Sequence, residues 1–284
     1  MNKKFEFNYK IVRMGPLFLD NTCTINDNNI TESKQLFGYD NVIGENTLFK
    51  ITSSNLRENV ISVKSKTINR FRQIVSSIAH INNMNRISSL EEILFTKYRN
   101  KKILLLEHSS FFANILIFLC CKHDIKLVTS EYFGSEYISG DSPNGILNVD
   151  IQNTHFQDSY FDLIIHSDVF EHVPDAIKAE KEQLRILKPD GHIVFTVPFN
   201  IDSTNDDIYA EISSGVIQHL KPPIYHEDPI SIDGKCLVFR IFSFSNMFLR
   251  YNELNCEFYC DYIHSRFLGV IGSNAFIFVA KKMV

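Results

Sequence analysis

Residues 159–199 read SYFDLIIHSDVFEHVPDAIKAEKEQLRILKPDGHIVFTVPF. Phe161 to His166 is a short apolar run, as expected of a buried strand. A loop carrying Asp168, Glu171 and His172 follows, then apolar residues at helical spacing up to Ile186-Leu187. Lys188-Pro189-Asp190-Gly191 reads as the turn that ends this helix, because Pro and Gly punctuate regular structure. His192 to Val197 alternates as a second strand and closes at Pro198. A strand, a helix and another strand make a parallel crossover unit. In open parallel sheets ligands bind beyond the carboxyl ends of the strands. That places Asp168, Glu171 and His172 at one strand end and Pro198-Phe199-Asn200 at the next.

Working outward, the alternation continues. Strands are expected at Ile103–Leu106, Lys126–Thr129 and Ile146–Val149, with a helix over Phe111–Lys122. Towards the C-terminus come a helix over Ser243–Leu254 and strands at Glu257–Ile263 and Asn274–Lys281, with Gly269 and Gly272 turning between them. Before residue 101, Ile68, Phe71, Ile74-Val75 and Ile78 give a helix within Lys64–Ile81. Ser88-Ser89 with Glu91-Glu92 opens another that ends near Tyr98. Residues 1–60 are polar, with strand-like runs at Tyr9–Val12 and Thr47–Ile51 and turn signals at Gly15-Pro16, Asp27-Asn28-Asn29 and Gly38. The organisation read from this is a β-rich or irregular appendage over 1–60, a helical cap over 61–100 and an α/β domain over 101–284. Segment 200–235, polar and rich in Pro and His, stands apart as an insertion.

With 284 residues and 44% hydrophobic content the chain is an ordinary globular protein. The net charge of −4 gives no electrostatic case for a nucleic-acid partner. No run approaches 18 apolar residues, so no membrane span is expected. MNKKFEFNYK lacks the apolar core of a signal peptide, and a cytoplasmic location is the expectation. The six cysteines do not form a disulfide framework in a chain of this size. Cys120-Cys121 read as buried apolar residues, and Cys23 stands alone. Cys256 and Cys260 lack a second ligand pair nearby, so no metal site is expected.

FDLIIHSDVFEHVPD followed by LRILKPDGHIVFTVPF resembles the second half of a class I S-adenosylmethionine-dependent methyltransferase of the small-molecule kind. Similarity spans about Lys101 to Phe199, with a weaker match at the C-terminus. The resemblance implies a Rossmann-like, doubly wound sheet of seven mostly parallel strands with an antiparallel last strand. It implies S-adenosylmethionine as cofactor, with two helices before the first core strand packing over the cofactor site. By position, Glu131 would hold the ribose, with Tyr132 beside it, and Asp150 and Ile151 would sit at the adenine. Glu107, His108 and Ser109 would form the first cofactor loop, and Asp168 the methionine end. Glu171 and His172 would line the methionine end or the acceptor pocket. The 200–235 insertion, with His219 and His226, would face the acceptor, either imidazole serving as base for a hydroxyl. The acceptor class suggested is a small molecule such as a sugar or glycan precursor.

One segment departs from the family pattern. Where glycines are expected, the chain has Leu106-Glu107-His108-Ser109-Ser110-Phe111-Phe112, and no glycine occurs between Lys101 and Phe133. Two further readings therefore stay open: a non-catalytic binding or scaffold protein on the same fold, and a dinucleotide or nucleotide-sugar enzyme. The second lacks a Gly-x-Gly-x-x-Gly fingerprint after its first strand. The residues leave the oligomeric state open.

Overall fold

The computed structural model describes residues 35–228, 230–231, 233–272 and 276–284. Tyr9–Val12, Gly15-Pro16, Cys23, Asp27–Asn29 and the first two residues of the expected strand at Asn274 lie outside them. The elements in chain order are β1 (Gln35–Asp40), β2 (Glu45–Ile51), β3 (Val60–Ser62), α1 (Asn69–Ile81), α2 (Leu90–Lys97), β4 (Lys102–Leu105) and α3 (Phe111–Lys122). Next are β5 (Lys126–Glu131), β6 (Leu147–Asn148), β7 (Phe161–Ser167), α4 (Ala176–Ile186) and β8 (Leu187–Thr196). Six short strands follow: β9 (Phe199–Asn200), β10 (Asp207–Ile208), β11 (Ala210–Ser213), β12 (Val216–His219), β13 (Tyr225–Glu227) and β14 (Lys235–Leu237). The described chain closes with β15 (Arg240–Ser243), α5 (Phe244–Asn252), β16 (Cys256–Tyr262) and β17 (Phe276–Lys282).

Seven strands form one sheet in the order β16-β17-β8-β7-β4-β5-β6. All pairings from β8 through β6 are parallel, and β17 runs antiparallel to both of its neighbours. This is the doubly wound α/β sheet with a reversed last strand that the resemblance implied. Successive strand residues face opposite ways, so the sheet feeds two cores. Leu104, Ile164, Ile193, Phe195 and Phe278 pack with α4 and α5 through Ala176, Ala179, Met247 and Phe248. Ile103, Leu105, Leu163, Ile165 and Val279 pack with α1 to α3 through Ile74, Ile78, Leu90, Ile93 and Phe112. The helices before β4 thus complete one face of the sheet.

β1, β2 and β3 form a small antiparallel sheet. It is tied to the rest by Arg72 of α1, which is fully buried. Its guanidinium donates to the carbonyls of Val60, Thr67, Leu268 and Gly269 and lies 4.3 Å over the Phe49 ring. Every donor it uses meets a backbone acceptor, which lets a charged group sit in the interior.

Three local readings are corrected. Cys120 is buried as expected, but Cys121 is exposed on α3. Gly38 is paired to Thr47 within β1 rather than in a turn. A Cβ there would lie 2.1 Å from the Phe267 carbonyl oxygen, so the glycine serves close backbone approach. Lys188–Gly191 lies inside β8 rather than before it. Leu187 pairs with Phe161, the turn bulges out with Asp190 at φ 60°, and pairing resumes at His192 with Leu163. Segment 200–235 is built of short strands, with β11–β12 and β13–β14 as separate hairpins.

Candidate active site

The carboxyl ends of β4, β5, β6, β7 and β8 lie side by side, and each carries a polar group. After β4 the chain runs through Glu107 to Ser110, which caps α3 by accepting from the Ala113 N–H at 3.0 Å. None of residues 105–112 takes a positive φ. The backbone path of this loop therefore does not need glycine. Phe111 is 60% exposed instead of filling the loop. Glu107 accepts from the Ser110 hydroxyl. Burial pushes its carboxyl up to about 8, with Arg70 pulling down and Glu131 pushing further up.

Glu131 ends β5. Its Oε1 accepts the backbone N–H groups of His108 at 2.8 Å and Ser109 at 3.1 Å, so it orients the first loop. Burial raises its carboxyl, and those two N–H groups oppose the shift. His108 Nδ1 also lies 2.7 Å from the Thr129 hydroxyl. Tyr132 follows with about half its surface exposed. Beyond β6, Asp150 Oδ1 accepts from the Gln152 N–H at 2.9 Å and its side-chain amide at 3.0 Å, closing a turn that buries Ile151. His108, Ser109, Glu131, Tyr132, Asp150 and Ile151 thus occupy the ends of neighbouring strands.

Asp168 follows β7 at φ 52°, a conformation uncommon outside glycine. Its backbone N–H donates to Thr196 at the end of β8, and the Thr196 hydroxyl donates to its Oδ1 at 2.8 Å. Arg57 binds both carboxylate oxygens, at 2.6 and 2.7 Å, and Arg70 of α1 binds Oδ2. Glu58 accepts from both arginines, at 2.6 and 3.0 Å. Burial alone would raise the Asp168 carboxyl, but Arg70 and Arg57 hold it well below the usual range. Nothing in the sequence around Arg57 or Arg70 signalled this network. The two arginines lie 111 and 98 residues from the aspartate they neutralise.

Glu171 and His172 sit in a single helical turn, Phe170–His172, just beyond Asp168. The Glu171 side chain is 0% exposed, and neither of its oxygens is hydrogen-bonded among the described residues. Burial and the Asp168 charge raise its carboxyl, against the two nearby imidazoles. His226, from β13, brings Nδ1 to 3.2 Å from His172 Nε2 and 3.6 Å from Glu171 Oε1. His172 Nε2 is 3.7 Å from the same oxygen. His172 Nδ1 lies 2.8 Å from the Leu237 carbonyl of β14, which can only accept. Nδ1 therefore carries the proton and Nε2 the lone pair, so His226 Nδ1 donates to it and His226 Nε2 is left as the accepting nitrogen. Glu171 raises the His226 imidazole against the effect of burial. His219 is elsewhere, on the exposed strand β12, and the structure does not join it to this cluster.

Residues 124–195 match a family model described as a methyltransferase domain. Among solved structures, a SAM-dependent methyltransferase from Methanosarcina mazei shares 17% identity, covering 65% of this chain and 93% of its own, at a TM-score of 0.37. An S-adenosylmethionine-dependent methyltransferase from Mesorhizobium loti shares 13% identity over 66% of this chain and 93% of its own, at 0.40. No curated protein gives a significant sequence match.

Proposed function

Because the chain carries a class I S-adenosylmethionine-dependent methyltransferase domain, we propose that it methylates a hydroxyl oxygen of a small molecule such as a sugar or glycan precursor, in the cytoplasm. S-adenosylmethionine is the cofactor of this domain, and the residues present suit it. Glu131 offers a carboxylate for the ribose hydroxyls, and Asp150 an acceptor for the adenine amine. Arg70 Nε is a buried donor without a partner among the described residues, suited to the amino-acid carboxylate. When bound, the cofactor supplies an electrophilic methyl group.

The observation that carries the acceptor side is the approach of His226 to within 3.2 Å of His172 at the carboxyl end of the sheet. The 200–235 insertion delivers this imidazole, and its Nε2 is the nitrogen left to accept a hydroxyl proton. Glu171 favours the charged imidazole that results. No helix among the described residues is long and apolar enough to cross a membrane, which suits a water-borne acceptor. The test is to incubate the protein with S-adenosylmethionine and a panel of free sugars and nucleotide sugars. S-adenosylhomocysteine release with at least one hydroxylated acceptor is expected. Release that ignores every hydroxyl acceptor but responds to amines or thiols would overturn the acceptor class.

One observation favours a second reading, a binding or scaffold protein without catalysis. The Asp168 carboxylate is already engaged by Arg57, Arg70 and Thr196. That reading requires that no methyl transfer be detected with any acceptor.

A further inference from the structure

We propose that Glu171, His172 and His226 form a binding site for one divalent transition-metal ion, with zinc the best fit, whose open position takes an oxygen ligand. One ligand atom from each residue lies within 4.8 Å of the other two. The measured separations are 3.2, 3.6 and 3.7 Å. Zinc bonds of about 2.1 Å at tetrahedral angles put neighbouring ligand atoms roughly 3.4 Å apart. The three atoms are thus already spaced as three corners of a tetrahedron. They are too far from one another for a strong carboxylate–imidazole hydrogen bond.

The Glu171 carboxylate, with neither oxygen hydrogen-bonded among the described residues, is the second observation. A buried carboxylate with neither oxygen hydrogen-bonded is expensive unless it is paired or binds a metal. The arginines nearby do not fill that role. Arg57 and Arg70 direct their short contacts at Asp168 and Glu58. Glu171 meets two imidazoles, which are good ligands when neutral.

Orientation of the ligands supports the same conclusion. The Leu237 carbonyl holds the proton on His172 Nδ1 and so aims the Nε2 lone pair at the cluster. Such a backbone acceptor behind a histidine is the usual outer support of a metal ligand. His226 needs a change of tautomer, moving its proton to Nε2, to present a second lone pair at Nδ1. The Glu171 backbone is itself pinned, because the Phe239 N–H donates to its carbonyl at 2.7 Å. Two histidines and one glutamate leave the fourth tetrahedral position to water or a substrate oxygen, the ligand set of catalytic zinc sites. With the His226 proton on Nε2, an ion there would replace that nitrogen as the group that acidifies a hydroxyl at the place assigned above to the acceptor. The site itself does not depend on methyl transfer.

The test uses the full chain, freed of metal with a chelator and titrated calorimetrically with zinc, manganese and magnesium chlorides in the absence of S-adenosylmethionine. One zinc per chain is expected, bound more tightly than manganese, with magnesium weakest. Glu171→Gln and His226→Ala should each weaken zinc by more than the roughly 10–100-fold typical of a lost outer support. His219→Ala, on the exposed hairpin, should change nothing. His226 is partly exposed on a short strand, so its variant keeps the core intact and melting curves verify this. Absence of stoichiometric zinc binding, or zinc affinity equal to the parent in His226→Ala, overturns the proposal. Because no cofactor is present, this outcome is independent of whether the protein transfers methyl groups.

Discussion

The two halves of the carboxyl edge are built on different principles. On the side proposed for the cofactor, after β4, β5 and β6, each polar group comes from the strand end it follows. Contacts there span short distances in sequence, as between Glu131 and the backbone of His108 and Ser109. On the side proposed for the acceptor, after β7 and β8, the groups converge from across the chain. Arg57 and Arg70 reach Asp168, and His226 crosses 54 residues to reach His172. The first loop keeps its path without glycine because none of its residues takes a positive φ. Long-range assembly makes the second half depend on elements that a core sheet does not need.

The sharpest way to break this comparison is at the acceptor side. His226→Ala should lower turnover by about 10²–10⁴-fold, the range of general-base contributions, while leaving S-adenosylmethionine affinity nearly unchanged. His219→Ala should leave turnover at the parental rate. A steady-state assay checks both, and equal losses would mean the two hairpins do not differ as described.

Stability tests the same long-range dependence. Removing Arg57 and Arg70 together leaves Asp168 buried without a counter-charge. The double alanine variant should be destabilised by about 3–5 kcal/mol, read as a shift in urea unfolding. A loss below about 1 kcal/mol would show that the β2–β3 loop and α1 contribute little to the site.

A third test lies beneath the edge, in the core. His166 is fully buried, flanked by Phe170 and Phe195 at centroid distances of 4.6 and 4.8 Å. Burial pushes it down to about 3 from an ordinary 6.5. Above pH 6.5 it is neutral whether folded or unfolded and has no effect. Between 6.5 and 3 the unfolded chain takes up a proton that the fold refuses, so stability falls as pH falls. At 1.36 kcal/mol per pH unit, the loss from this residue at pH 5 is about 2 kcal/mol. In His166→Leu the drop in unfolding free energy between pH 7.5 and 5 should be smaller by that amount. An unchanged drop would assign it to other groups.

The smallest effect belongs to the glycine-free loop. Ser110→Ala removes the cap of α3 and should cost about 1 kcal/mol, with the sheet unaffected. A much larger loss would mean that Ser110 supports more than the helix end.

The contrast also explains what could be read in advance. The alternation of strands and helices was legible because apolar runs at strand and helical spacing follow directly from burial, and the reversed last strand was expected from the family resemblance. The placement of Glu107, Glu131 and Asp150 at or just beyond strand ends was legible because the apolar runs before them mark where each strand stops. The glycine-poor loop looked like a defect because residue identity does not reveal φ, and the chain takes a path that serine can follow. The Lys188–Gly191 turn was visible as a turn but not as a bulge, since that depends on which residue of β7 pairs with Leu187. Arg57, Arg70 and the meeting of His226 with Glu171 were not legible. No local pattern records which distant residue will neutralise a buried carboxylate. His219 and His226 were indistinguishable in sequence and are separated by hairpin pairing alone.

The central claim is that the ends of β4, β5 and β6 form an S-adenosylmethionine site despite the missing glycines. Calorimetric titration of the unaltered protein and of Glu131→Ala with S-adenosylmethionine tests it most directly. Saturable binding by the parent is predicted, weakened about ten- to a hundredfold in the variant, as fits a lost charged acceptor worth about 1.5–3 kcal/mol. No binding at millimolar cofactor, or equal binding by the two proteins, would contradict it.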